Sequence, residues 1–255
     1  MPSTDIFIIL YQIFIFISIP LYFWTGYKLW RSYESKKTGD ATKWMALFFL
    51  SGAVAIAFLL VEQVILMLSY QNSDYNVVLP INNDLPAVIA RILVCTAILI
   101  SSGFTAPTIS KFALTFFDNK RTQLLIYPIV ALGVLHAVLY FILPFSWFQR
   151  ESIWEYYHAD QYQILLLSTY LIPVWLPVAF LGYVTVKARK QPPHIVKRSF
   201  LLFIGLVIVA IAYSLQVISP SIITGFGLFY FALHYYFVIT MPNWLKKILN
   251  WPENG

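Results

Sequence analysis

Four ionisable side chains stand inside long apolar runs of this 255-residue chain: Glu62, Arg91, His136 and His234. A charge at such a position is costly unless it is paired, and residues of this kind mark ion pairs, ligand sites or proton relays. Glu62 precedes the polar segment that begins near Tyr70, and Arg91 follows the same segment past Asp84. At 1.5 Å per residue both lie roughly 10–12 Å from the segment's edges. Two adjacent antiparallel helices would therefore bring them together. Gln63 and Gln216 are expected at a similar depth. Two chemistries follow: an ion pair that fixes one helix against the next, or an outward-facing ligand or proton site.

His136 and His234 raise the question of two axial haem ligands on facing helices. Their depths differ, about 20 Å against about 10 Å from the inner ends of their helices, and argue against it. A bond from each imidazole to a neighbouring helix is the alternative. Zinc is weaker still, because His158 and His194 fall on opposite sides and no acid accompanies His136 or His234. Covalent retinal needs a lysine in the last helix for its Schiff base. Residues 222–240 contain none. Ser101-Ser102-Gly103 faintly resembles an intramembrane serine nucleophile, without a histidine in a matching motif. A seven-helix zinc hydrolase would need an aspartate at depth, and none is there. The chain is read as a non-enzyme with no cofactor. One Cys among 255 residues rules out a disulfide framework, and Cys95 reads as an inert core thiol.

The elements that position these residues follow from composition. The chain is 60% hydrophobic and only 11% charged, with 21 Phe, 17 Tyr and 8 Trp. Soluble domains carry about 25% charged residues, so soluble enzymes, nucleic-acid binders and disordered tails are set aside. A membrane-crossing helix needs about 20 mostly apolar residues. Seven such stretches lie near 5–30, 43–70, 84–107, 122–145, 162–186, 199–217 and 222–240. Runs such as 6–23 are apolar on both parities, unlike the alternating strands of a β-barrel. The expected fold is an all-α integral membrane protein of seven helices, one domain over 1–240 and an amphipathic tail over 241–255. The break at Ser219-Pro220-Ser221 is the shortest; if it is only a kink, six helices remain.

Charge gives the orientation. With the N-terminus outside and the C-terminus cytoplasmic, all 17 basic residues except Arg91 and Arg150 fall in inner segments. These include Lys28, Arg31, Lys43, Lys111, Lys187, Lys197, Arg198, Lys246 and Lys247, while Asp5, Asp74, Asp84, Glu151, Glu155 and Asp160 fall outside. A six-helix count would put Lys246 and Lys247 outside. The N-terminal five residues carry no positive charge, so the first helix is expected to be retained rather than cleaved as a signal peptide.

Pro173 and Pro177, four apart in the fifth helix, each remove a backbone bond and bend it. Gly225 and Gly227 in the seventh permit close approach or a local bend. These four are the expected hinge, a device for carrying an outer signal inward, or else static kinks shaped by packing. Arg91, Cys95, Ser102 and Thr105 fall near one face of the third helix, as suits a central, closely packed element. Trp147, Phe148, Trp154, Tyr156 and Tyr157 are expected at the outer interface. Trp244, Ile248 and Trp251, with Lys246 and Lys247 between, suit a short helix on the anionic inner leaflet.

In topology alone, residues 1–240 resemble the N-terminal seven-helix sensor module of archaeal and bacterial histidine kinases. The stretch that carries it is the aromatic last helix leaving through Met241-Pro-Asn-Trp-Leu-Lys-Lys247. The resemblance implies a membrane sensor, but with the chain ending at Gly255 no effector domain is expected to follow. The expected function is a stand-alone receptor or sensor subunit in the plasma membrane, a multi-pass protein. Its partners would be the bilayer, a cytoplasmic signalling protein on the basic inner loops, and a second copy of the chain; no nucleic acid is expected. A small transporter or channel using Glu62 and Arg91 is one alternative. A structural subunit of a membrane complex is the other.

Overall fold

The computed structural model describes residues 2–35, 39–69, 85–117, 119–142, 163–218 and 222–248. The aromatic segment 146–162, the break at 219–221 and Trp251 lie outside the described residues. Among the described residues the regular structure is entirely helical. The long elements are α1 (Pro2–Glu34), α2 (Asp40–Ser69), α3 (Leu85–Ile100), α4 (Ala106–Leu114), α6 (Ile126–Ile142), α7 (Gln163–Lys187), α8 (Pro193–Ile218) and α9 (Ile222–Thr240), with the short α5 (Lys120–Gln123) and α10 (Asn243–Ile248). Six of the resulting segments are long and apolar enough to cross a membrane. This is the pattern of a multi-pass membrane protein: a helix satisfies its backbone internally, as lipid requires.

α1 and α2 form an antiparallel hairpin, and α9 packs between α1 and α8. The succession α1–α2–α3–α6–α7–α8–α9 closes back on α1. Close approach is built with small side chains: Ala46, Ala97, Ala113, Ala210 and Ala232 are at or near zero exposure. Lipid tails are as apolar as leucine, so fit rather than hydrophobic transfer holds such helices together. At the heart of the bundle Phe49 stacks on Phe231 at 5.6 Å, and Phe231 meets Tyr235 at 4.5 Å. The Tyr235 hydroxyl donates to the Leu202 carbonyl of α8 at 2.8 Å, so even this apolar layer is pinned by a polar contact.

The third apolar stretch runs seven residues past its expected end, to Leu114, and it is not a uniform helix. Between α3 and α4 the residues Ser101–Thr105 form a π-helical turn. The Ala106 N–H donates to the Ser101 carbonyl five residues back. Pro107 supplies the physical reason: it has no N–H, and in a regular helix its ring would meet the carbonyl of Gly103. An extra residue in the turn removes that conflict. α8 begins at Pro193, six residues before the expected start, which places Lys197 and Arg198 in its first turns. At the other end Met241 adopts a left-handed backbone, φ 39°, and separates α9 from α10. The Met241 side chain is buried against Leu201, Leu202 and Leu245, which holds that strained turn.

Candidate functional site

The π turn stands at the junction of two small internal chambers. One, about 70 Å³, is lined by Tyr11 and Ile15 of α1, Gln63 of α2, Val94 and Ile98 of α3, His136 of α6, Tyr170 of α7 and Tyr213 of α8. The second, about 40 Å³, is lined by Ser102, Thr105 and Ile109, by Pro173 and Pro177 across from them, and by Val209 of α8. Ser101, Tyr170 and Tyr213 line both, so the chambers adjoin. Each has room for a few waters or a very small solute.

The polar groups of the first chamber are deeply buried. Gln63 is 3% exposed and its Oε1 has no hydrogen-bond partner. The Tyr11 phenol is within electrostatic reach of both Gln63 and the Glu62 carboxylate. His136 Nδ1 and Thr169 Oγ1 lie 3.0 Å apart, and the imidazole packs on Tyr170 at 5.3 Å. The Tyr170 hydroxyl reaches the Tyr213 carbonyl at 3.4 Å, joining α7 to α8. A donor-rich, acceptor-bearing wall in an otherwise apolar chamber is the usual make-up of a small-ligand site.

The π turn fixes its own neighbours. The Ser102 hydroxyl shares its proton between the Ile98 carbonyl of α3 at 2.7 Å and the Gly133 carbonyl of α6 at 3.0 Å, and Thr105 donates to Ser51 of α2 at 2.8 Å. A Cβ on Gly133 would overlap the Ser102 carbonyl oxygen, so only glycine lets α6 come this close. The stripe expected on one face of the third helix is thus splayed: Ser102 and Thr105 serve different helices.

Of the expected site residues, Gln63 and His136 come together in the first chamber, and Pro173 and Pro177 line the second. Glu62 is 1% exposed on α2; Arg91 is half-buried on α3, which packs on α2, and both side chains are partnered. The side chain of Gln216 lies outside the described residues. His234 faces elsewhere, its Nε2 2.8 Å from the Leu201 carbonyl of α8. Gly225 and Gly227 sit within a continuous α9, where α1 and α8 approach closely: a Cβ there would be 3.0 Å from the Tyr11 ring and 2.7 Å from the Ala212 Cβ respectively. Tyr11, Thr169, Tyr170 and Tyr213 had no sequence signal beyond being aromatic or polar in an apolar run. The π turn had one, Pro107 following the small pair Ser102-Gly103.

A third cavity opens at the opposite end of the bundle from Gln63. It holds about 530 Å³ and is lined by Leu29 and Ser32 of α1, Thr42 and Met45 of α2, Phe112 of α4, Leu181 and Val184 of α7, His194, Arg198 and Leu202 of α8, and Ile239 of α9. We call it the inner vestibule, after the cytoplasmic side expected for this end from the charge pattern of the sequence. No protein-family model, curated protein or solved structure matches this chain. The class that fold and site define is a chain that is helical throughout its described residues, with the spans of a multi-pass membrane protein and two small, mostly apolar chambers that carry a few buried polar groups.

Proposed function

We propose that the chain is a receptor or sensor subunit of the plasma membrane, seven-helical, with its N-terminus outside and its C-terminus cytoplasmic. α9, 19 residues long and mostly apolar, measures about 28 Å and serves as the seventh span in this reading. The orientation is supported by basic side chains that snorkel over aromatic rings at one end of the bundle: Lys28 over Trp24 at 4.9 Å, Lys43 over Trp44 at 5.6 Å and Lys187 over Tyr183 at 4.8 Å. The observation that carries the sensor reading is shared walls. α4, α7 and α8 line both the chamber beneath the π turn and the inner vestibule. The π turn and the two prolines of α7, Pro173 and Pro177, line opposite sides of that chamber. A small ligand between them would shift the inner ends of α4 and α7, and a cytoplasmic partner would read the shift.

A small transporter is the second reading, favoured by three cavities distributed along one bundle. Reconstituted protein separates the two. Solutes that raise the melting temperature through Gln63 and His136 are expected to bind without crossing the bilayer. Spin labels at Phe116 and Val186, both exposed beside the inner ends of α4 and α7, are then expected to change separation by on the order of 1–2 Å or more. Gln63-dependent accumulation of the same solute inside vesicles would overturn the sensor in favour of transport.

A further inference from the structure

The inner vestibule, at about 530 Å³, is several times larger than either chamber and falls in the range of about 300–1,000 Å³ typical of ligand pockets. Its walls are apolar, with Leu29, Met45, Phe112 and Leu181 from four different helices. Its one cationic lining residue among the described residues, Arg198, is exposed and therefore at the mouth, one turn after His194 on α8, with Ser199 next to it. No Asp or Glu lines it among the described residues, and among them no side chain pairs with Arg198. A cation at the lip of an apolar, acid-free cavity calls for a molecule with an anionic end and an apolar body. A peptide would bring backbone N–H and C=O groups that these walls cannot satisfy, whereas an acyl chain brings none. Arginine, with its planar fork of donors, suits a phosphate or carboxylate head.

We propose that the inner vestibule binds an anionic amphiphile, with its acyl chain among the apolar walls and its phosphate or carboxylate on Arg198, beside His194. The proposed topology enters only in naming the inner leaflet as one source; a free fatty acid is the other. The test is native mass spectrometry of the delipidated full-length chain in a non-ionic detergent, titrated with phosphatidylglycerol, phosphatidylcholine or palmitate. A single adduct is expected from phosphatidylglycerol or palmitate at concentrations at least tenfold below those phosphatidylcholine requires. Preference for phosphatidylglycerol assigns the membrane lipid, and preference for palmitate the free acid. Arg198→Gln should erase the preference, Arg198→Lys should keep part of it, and Ala41→Trp, which fills the cavity from α2, should weaken all three ligands alike. Equal retention of phosphatidylcholine and the anionic ligands, or an Arg198→Gln protein that behaves as the parent, would overturn the proposal. Should Arg198→Gln fail to fold, Arg198→Lys and Ala41→Trp decide the matter by the same criteria. No cytoplasmic partner takes part in this measurement, so signalling can fail while the site stands.

Discussion

Replacing Gly133 by Ala tests whether the π turn is locked to α6. Two effects oppose each other. Alanine is the better helix former by about 1 kcal/mol, and in a freely exposed helix the substitution would stabilise. At this position the new methyl would overlap the Ser102 carbonyl oxygen, a backbone atom that cannot swing aside as the end of a flexible side chain could. Relieving an overlap of this kind costs about 1–3 kcal/mol. It also pulls apart the buried Ser102 hydroxyl and Gly133 carbonyl, now 3.0 Å apart, a contact worth roughly 0.6 kcal/mol between membrane helices. The net expectation is a loss of about 0.5–2.5 kcal/mol, or a fall in melting temperature of a few degrees, about 2–4 °C per kcal/mol for a chain of this size. The single cysteine makes the assay simple: Cys95 is buried, so a thiol-reactive dye reports unfolding without further labels. Ser102→Ala should cost only about 0.6 kcal/mol, and in the double variant the two losses should fall short of their sum. A Gly133→Ala protein as stable as the parent, or more so, would refute the close approach of α6 to the π turn.

Gln63→Leu removes a buried Oε1 that has no partner but also the amide that bonds the Tyr11 phenol, so stability should stay within about 1 kcal/mol of the parent while any ligand-induced shift is abolished; a loss of about 2 kcal/mol or more would mean that Oε1 is already satisfied. If Glu62 and Arg91 form the ion pair expected from the sequence, Glu62→Gln and Arg91→Met should each cost about 3 kcal/mol, the lower end for a broken buried pair because Arg91 is half-buried, with partial recovery in the double variant. Purely additive losses in that cycle would show the two residues to be uncoupled. For orientation, Ser69→Cys should label from outside intact cells and Ser35→Cys only after permeabilisation, both positions being exposed at opposite ends of α2 and α1; the reverse pattern would invert the proposed topology.

Most of the architecture was legible because its cause is one-dimensional. A helix in lipid must be long and apolar, and length and polarity are read directly from residues such as those of 43–70 or 162–186. Polar residues at depth were legible for the same reason, since Glu62, Gln63, His136 and His234 stand out against their surroundings. Which of them share a site was not. Gln63 and His136 are more than seventy positions apart, and only the closure of α2, α3, α6 and α7 around one chamber places them together. His234 looks equivalent in sequence but turns to the backbone of α8, because helix rotation is set by packing against neighbours and not by composition. The π turn is intermediate: Pro107 announces a conflict with the Gly103 carbonyl, but a kink, a break or an inserted residue would each resolve it. The contacts to Gly133 and Ser51 favour the inserted residue. The sequence alone determined that this chain is a bundle of apolar helices with a few expensive polar residues inside. Tertiary structure decided which of those residues face a common space, because cavities belong to the gaps between helices and no single helix encodes them.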